Sequence, residues 1–335
     1  MMGAYVPSVE LIARVRRGEP AAIGRLISRA ESGLAEARGA LAQIHKLAGG
    51  AHVVGMTGVP GSGKSTLVSL LAQRLRAGGD KVGVIAIDPS SPYSGGSILG
   101  DRIRMSDLSA DPGVYIRSMA THGATGGMAR AALEAVDILD AAGFGVIILE
   151  TVGVGQDEVE IVRASHTTVV VSAPGLGDEV QAIKAGLLEI ADIHVVSKCD
   201  RSDANRTLTD LKQMLTLGIH EQAPSGWTVP VIGTSAVSGE GLDELLGAIA
   251  RHRGLAPDSD AGLARRKSIA EFRLRKTAEN LLYDRFNAAT AAASAKLAEQ
   301  LMRRESDPYS LAEELLSTTL EGEGDHERDV YSKFA

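Results

Sequence analysis

The chain contains one cysteine, Cys199, in 335 residues. A lone thiol excludes an intramolecular disulfide and any metal site built on several cysteines, and it fits a reducing compartment. Aromatic residues are scarce at 3%, which argues against a platform for stacking nucleic-acid bases. Positive charge is in deficit, with 35 Lys and Arg against 42 Asp and Glu and a formal net charge of −7. A general nucleic-acid-binding role needs the opposite balance, because phosphate neutralisation requires a basic excess. Long apolar runs are also missing: those present are strand-sized, as at Gly145–Leu149 and Val169–Val171, far short of a bilayer span. Met1–Arg17 has no apolar core of a secretory signal and carries Glu10. The expectation is a cytoplasmic protein with no membrane or nucleic-acid partner.

What the chain does have is glycine, 38 residues of it, within an ordinary globular composition of 44% hydrophobic and 23% charged residues. The most informative glycines lie just after a short apolar run, Val53, Val54 and Met56. Gly58, Val59, Pro60, Gly61, Ser62, Gly63, Lys64, Ser65 and Thr66 follow, and then Leu67, Leu70, Leu71 and Leu75 recur at helical spacing. Strand, glycine loop and helix start in the order G-x-x-x-x-G-K-[ST] form a phosphate-binding loop. Small residues let successive backbone N–H groups close around phosphate oxygens, and the positive end of the helix adds to the attraction. Lys64 is placed to reach the terminal phosphates, and the Ser65 hydroxyl to ligate Mg²⁺.

The remaining candidates follow further apolar runs. Val82–Ile87 reads as a strand and ends at Asp88, where a carboxylate either faces a ligand at the sheet's carboxyl edge or caps a turn before Pro89. Asp101 and Arg104 lie in a segment that reads equally well as an exposed helix face. Val114–Met119 reads as a short strand and Met128–Ala142 as a helix. Gly145–Leu149 reads as a strand running into Glu150, with Gly153 three residues later. An acid ending a strand can orient Mg²⁺ or its water, and the glycine N–H can sense a γ-phosphate. Thr167–Ala173 and Asp192–Val196 read as strands, the latter ending in Ser197, Lys198, Cys199 and Asp200. Asp200 can accept both guanine N1–H and N2–H₂, donors that adenine lacks, while the Lys198 stem packs on the base. A strand at Val229–Gly233 leads to Ser235, Ala236 and Val237, whose backbone N–H groups can reach guanine O6. No His/Cys cluster has metal-ligand spacing.

Together these runs predict an α/β fold, a mostly parallel sheet with helices on both faces. A helical segment at 1–48 precedes the nucleotide domain at 49–254, and a helical arm at 255–335 follows it. The arm carries apolar residues at helical spacing and no chemistry, which points to a homodimer contact, with an intramolecular helical cap as the alternative.

With GVPGSGKS at 58–65, AIDPSSP at 86–92, LGDRIRM at 99–105, ETVGVGQDE at 150–158, SKCD at 197–200 and TSA at 234–236, the chain resembles the MeaB/ArgK-type P-loop GTPases over nearly its full length. The resemblance implies a GTP-binding, GTP-hydrolysing chaperone. Such a protein gates adenosylcobalamin loading of methylmalonyl-CoA mutase and protects or reactivates it, in some cases beside an adenosyltransferase. It implies GTP/GDP and Mg²⁺ as cofactors, and Lys64, Asp88, Asp101 and Glu150 as catalytic. Ser65, Asp88, Asp101 and Glu150 would surround the metal, Gly153–Glu158 would form a nucleotide-sensing switch and Pro174–Lys184 a loop that signals to the mutase. The alternative is an ATPase or kinase coupled to transport of basic amino acids. One position departs from the family pattern: the base motif usually opens with Asn, and here it opens with Ser197.

Overall fold

A strand that is apolar at nearly every position must be covered on both faces, and parallel strands are joined by helical crossovers that supply the cover. The computed structural model describes residues 5–88, 108, 110–120, 131–151, 157–175, 190–215, 227–255 and 259–317, with backbone alone at 88 and 157–159. Its seven strands are β1 (His52–Thr57), β2 (Val82–Asp88), β3 (Val114–Ala120), β4 (Val146–Thr151), β5 (Thr167–Ser172), β6 (Ile193–Val196) and β7 (Val231–Gly233). They form one sheet in the order β3-β2-β4-β1-β5-β6-β7, every neighbouring pair parallel. Every carboxyl end therefore opens on the same edge, with β1 at the centre.

Helices α1 (Ser8–Arg16), α2 (Pro20–Glu31) and α3 (Ala37–Leu47) precede the sheet. Gly18, in the left-handed region at φ 73°, ends the first, and Pro20 opens the second at a position where the missing N–H costs nothing. Helix α4 (Lys64–Ala77) follows β1, α5 (Ala132–Ala141) leads to β4, and α6 (Asp157–Ala164) leads to β5. Helices α7 (Ala204–Met214) and α8 (Leu242–Arg253) flank β7, and α9 spans Asp260–Met302. On one sheet face Leu67, Val68 and Leu71 of α4 and Leu242 and Leu245 of α8 pack against Val54, Met56, Val84, Ile148, Val169 and Val171. On the other, α5 and α6 come so close that a methyl group at Gly83 would lie 2.9 Å from Leu139 and one at Gly55 2.7 Å from Ile161.

Two strands start later than their apolar runs, for local reasons. Asp192, just before β6, gives its N–H to the Thr168 carbonyl at 2.9 Å and takes the Thr168 N–H on its carboxylate at 2.7 Å. Pro230 has no N–H to offer a ladder, although its carbonyl accepts from His194 N at 2.9 Å. The described part of the helix expected at 128–142 runs from Ala132 to Ala141.

The chain divides into two compact units, Met1–Ala270 and Glu271–Ala335. In the first, Leu11, Ile23, Leu26, Ile27 and Ile44 of the leading helices are fully buried. Polar contacts fasten these helices to the sheet side: Asp137 lies 2.9 Å from His45 Nδ1, Asp140 accepts the Gly49 N–H at 2.6 Å, and Glu31 pairs with Arg117. In the second unit Leu297 and Leu311 are buried, whereas Leu274, Leu282, Tyr283 and Met302 are exposed.

The amino ends of the central strands carry a buried polar network. Thr167 Oγ1 lies 2.9 Å from His52 Nε2 and 2.8 Å from His252 Nδ1, and His252 Nε2 lies 3.4 Å from Asp192 Oδ1. Arg265, in the first turns of α9, donates to the Ser165 carbonyl at 3.0 Å and to Thr168 Oγ1 at 3.2 Å. Burial works against ionisation of Asp192, but His252, Arg265 and the Thr168 N–H outweigh it and hold the carboxyl below the usual carboxylate range. Burial, with His166 stacked alongside, pushes His52 down to about 3. His166 is lowered in the same direction, again chiefly by burial.

An unfolded chain takes up protons at these histidines near 6.5, whereas folded His52 stays neutral down to about 3. Their contribution to stability is therefore full above pH 6.5 and is lost as pH falls below it, at about 1.4 kcal/mol per unit of separation. Urea midpoints measured from pH 7 to pH 4 should fall steadily. His52→Gln, which keeps a polar group near Thr167 without titrating, should flatten that slope.

Candidate functional site

The sheet's carboxyl edge holds the predicted loop. Gly58 has φ 137°, and a side chain there would place Cβ 2.1 Å from the Val171 carbonyl oxygen of β5, a collision with backbone that cannot move aside. The loop folds back over the strand end because this position is glycine. Gly63 adopts φ 90° at the N-cap of α4, where the first N–H groups of a helix have no intrahelical partner. Ser62 is fully buried, and its hydroxyl meets no hydrogen-bond partner among the described residues. Lys64 is buried and donates from Nζ to the carbonyls of Gly58 at 2.6 Å and Val59 at 2.9 Å. Pro60, Gly61 and Thr66 are exposed, on the open side of the loop.

Glu150, next to last in β4 and only 3% exposed, accepts the Ser65 hydroxyl at 2.6 Å through Oε1. A strand-end carboxylate and a helix-start hydroxyl, 85 residues apart, thus meet at one point beside the phosphate loop. Their donor set is all oxygen, the preference of a hard divalent cation such as Mg²⁺. Asp88 is the last residue of β2, whose neighbour is β4, so its backbone ends at the same edge. Asp101, Arg104, Gly153 and residues 176–184 lie outside the described residues.

The base-reading candidates follow β6 and β7. Ser197 is buried, with Oγ at hydrogen-bond distance from the carbonyls of Ser62 and Ser172. Lys198, at φ 57°, donates from Nζ to the Gly61 carbonyl at 2.8 Å. Its ammonium therefore belongs to the phosphate loop as well as its stem to the turn. Asp200 is exposed, and its Oδ1 accepts the hydroxyl of fully buried Ser235 at 2.8 Å. The Ser235 N–H goes to the Glu240 carbonyl at 3.1 Å, so that amide serves the turn itself. Ala236 and Val237 are exposed beside it, with the Val237 N–H 3.3 Å from Ser235 Oγ. Cys199 is tied to the same turn: its N–H donates to the Thr234 carbonyl at 3.0 Å, and burial pushes its thiol up, away from nucleophilic use.

The structure thus gathers Gly58–Thr66, Glu150, Ser197–Asp200 and Ser235–Val237 on one edge. The sequence reading missed the Ser235 hydroxyl as the group that orients Asp200. The signal was there, a serine two residues past the end of β7, but a hydroxyl's partner is not encoded in spacing.

The chain matches the family model described as methylmalonyl Co-A mutase-associated GTPase MeaB over residues 23–291. A Pyrococcus horikoshii protein named for GTPase activity is 43% identical over 310 residues, covering 92% of this chain and 98% of the relative. The mouse protein named methylmalonic aciduria type A homolog, mitochondrial, is 40% identical over 195 residues, 57% of this chain and 46% of that protein. Among solved structures, one described as a LAO/AO transport system kinase aligns with a TM-score of 0.67 and 25% identity, covering 95% of this chain and 99% of the other.

The glycine geometry makes a direct test. Gly58→Ala should lower stability by more than about 2 kcal/mol, because backbone must shift to admit the methyl group. Gly61→Ala, also at positive φ but with no atom within 4 Å of the new Cβ, should cost about 1 kcal/mol. Urea unfolding of the two variants measures the difference.

Proposed function

For this chain, which belongs to the methylmalonyl-CoA mutase-associated GTPase family MeaB, we propose a GTP-driven switch that gates adenosylcobalamin loading of a methylmalonyl-CoA mutase and protects or reactivates that enzyme. The observation that carries the guanine reading is the Ser235–Asp200 hydrogen bond of 2.8 Å. It holds a carboxylate in one orientation at the far side of a phosphate loop, where it accepts the two donors of a guanine edge. A nucleotide gripped at both ends is a substrate whose hydrolysis changes what the loop can hold.

In this reading Gly58–Thr66 close on the phosphates through backbone N–H groups. Lys64 turns its ammonium, now on the loop carbonyls, toward the β- and γ-phosphate oxygens. Ser65 and Glu150, with Asp88 and Asp101, would hold Mg²⁺, which when bound neutralises charge on the phosphate oxygens. Glu150, buried and already bonded to Ser65, orients rather than attacks: its position fixes the Ser65 oxygen and the water next to the γ-phosphate. Gly153, after the β4 end, senses the γ-phosphate through its N–H. The candidate arginine for the transition state, Arg104, lies outside the described residues, and turnover is expected to be slow alone and to rise when the mutase docks.

The family description and the name of the mouse relative support the mutase as partner. Exposed Leu274, Leu282 and Tyr283 on α9 support a homodimer formed through residues 255–335. The structural relative, described as a transport system kinase, gives the competing reading, in which ATP is the substrate.

Competition titration separates the two: GTP should displace a fluorescent guanine nucleotide at least about 100-fold better than ATP, the margin expected when a polar edge is left unmatched. Comparable displacement by ATP would favour the kinase. Lys64→Ala should abolish hydrolysis and weaken nucleotide binding at least about tenfold. Co-purification with the mutase in GDP against a non-hydrolysable GTP analogue should give complexes of different mass or yield.

A further inference from the structure

One nucleotide can span a phosphate loop and a base-reading turn only if their separation is fixed. Here two consecutive residues of the turn reach two consecutive carbonyls of the loop: Ser197 Oγ to Ser62 and Lys198 Nζ to Gly61. Ser197 also lies 3.1 Å from the Ser172 carbonyl at the end of β5, and its side chain is almost fully enclosed. Both neighbours of this hydroxyl are acceptors, and a hydroxyl has one proton to give. Whichever carbonyl takes it, no proton is left for an acceptor on a purine, and N7 of the guanine ring is such an acceptor. Lys198 reaches Gly61 from a left-handed backbone, φ 57°, that a residue with a Cβ adopts at some cost.

We propose that Ser197 is a positioning residue that ties the base-reading turn to the phosphate loop and supplies no hydrogen bond to the purine. Guanine is then selected through its N1–H and N2–H₂ edge by Asp200, and N7 goes unread by Ser197. This rests on the nucleotide reading above and specifies how that site tells one base from another. Ser197 acts on affinity for every nucleotide that uses the loop and leaves the choice of base alone.

The test is calorimetric titration of the full chain and of Ser197→Ala with GDP, ADP and 7-deaza-GDP, in which a C–H replaces N7. Wild-type protein should bind GDP and 7-deaza-GDP within about twofold. Ser197→Ala should weaken both by the same factor, about three- to tenfold for one lost hydrogen bond, and leave the GDP-to-ADP ratio unchanged. Ser197→Thr, which keeps the hydroxyl, should recover the loss. A wild-type preference for GDP over 7-deaza-GDP of about fivefold or more overturns the proposal while leaving the nucleotide site standing. Unchanged affinity in Ser197→Ala overturns the tether. Failure of the wild-type chain to bind GDP at all overturns the site and the proposal together. The comparison of GDP with 7-deaza-GDP needs no variant, so it decides the question even if Ser197→Ala does not fold.

Discussion

The site depends on one close approach between backbones. The loop after β1 turns back over the end of β5, and the absent side chain at Gly58 lets the Val171 carbonyl lie where a Cβ would otherwise be. Parallel pairing of β1 with β5 brings these strand ends together, since Thr57 stands beside Val170 in the ladder. Everything downstream uses the resulting bend. It buries Lys64 over the carbonyls of Gly58 and Val59 and sets Ser62 under the turn that follows β6. It also starts α4 where the Ser65 hydroxyl meets Glu150.

Local chemistry was legible in the sequence to the extent that it is encoded over a few residues. The strand–loop–helix order at 53–75, the acid at the end of β4 and the Asp200 turn each follow from short spacings, and the seven apolar runs became seven parallel strands. Interactions between distant segments were not legible. Ser197 reads only as a departure from the family's Asn until its partner, a carbonyl 135 residues earlier, is known. The same holds for the Ser235 hydroxyl on Asp200. Strand starts at Ile193 and Val231 also escaped: the Asp192 carboxylate takes the Thr168 N–H, and Pro230 has no N–H to give. Asp88, Asp101 and Gly153 remain assignments of motif and family resemblance.

The two ends of the sheet solve opposite electrostatic problems. At the carboxyl edge, ammonium groups and helix N–H groups converge where anionic phosphate is expected, and the only buried carboxylate described there, Glu150, is bonded to a hydroxyl. At the amino edge, His52 and His166 are kept neutral by burial, and Asp192 is kept ionised by Arg265 and His252. The chain's acidic balance is therefore no guide to the field at either end, which is set by a few enclosed groups.

Strand β5 touches both of these regions. Its Val171 carbonyl abuts the glycine bend, and four residues earlier, roughly 13 Å along an extended chain, Thr167 and Thr168 hold His252 and the Arg265 guanidinium at the root of α9. Hydrogen-bonded to β1 on one side and β6 on the other, β5 is held in register along both edges. The glycine bend and the root of the long helix are therefore two footings of one strand, a few residues apart.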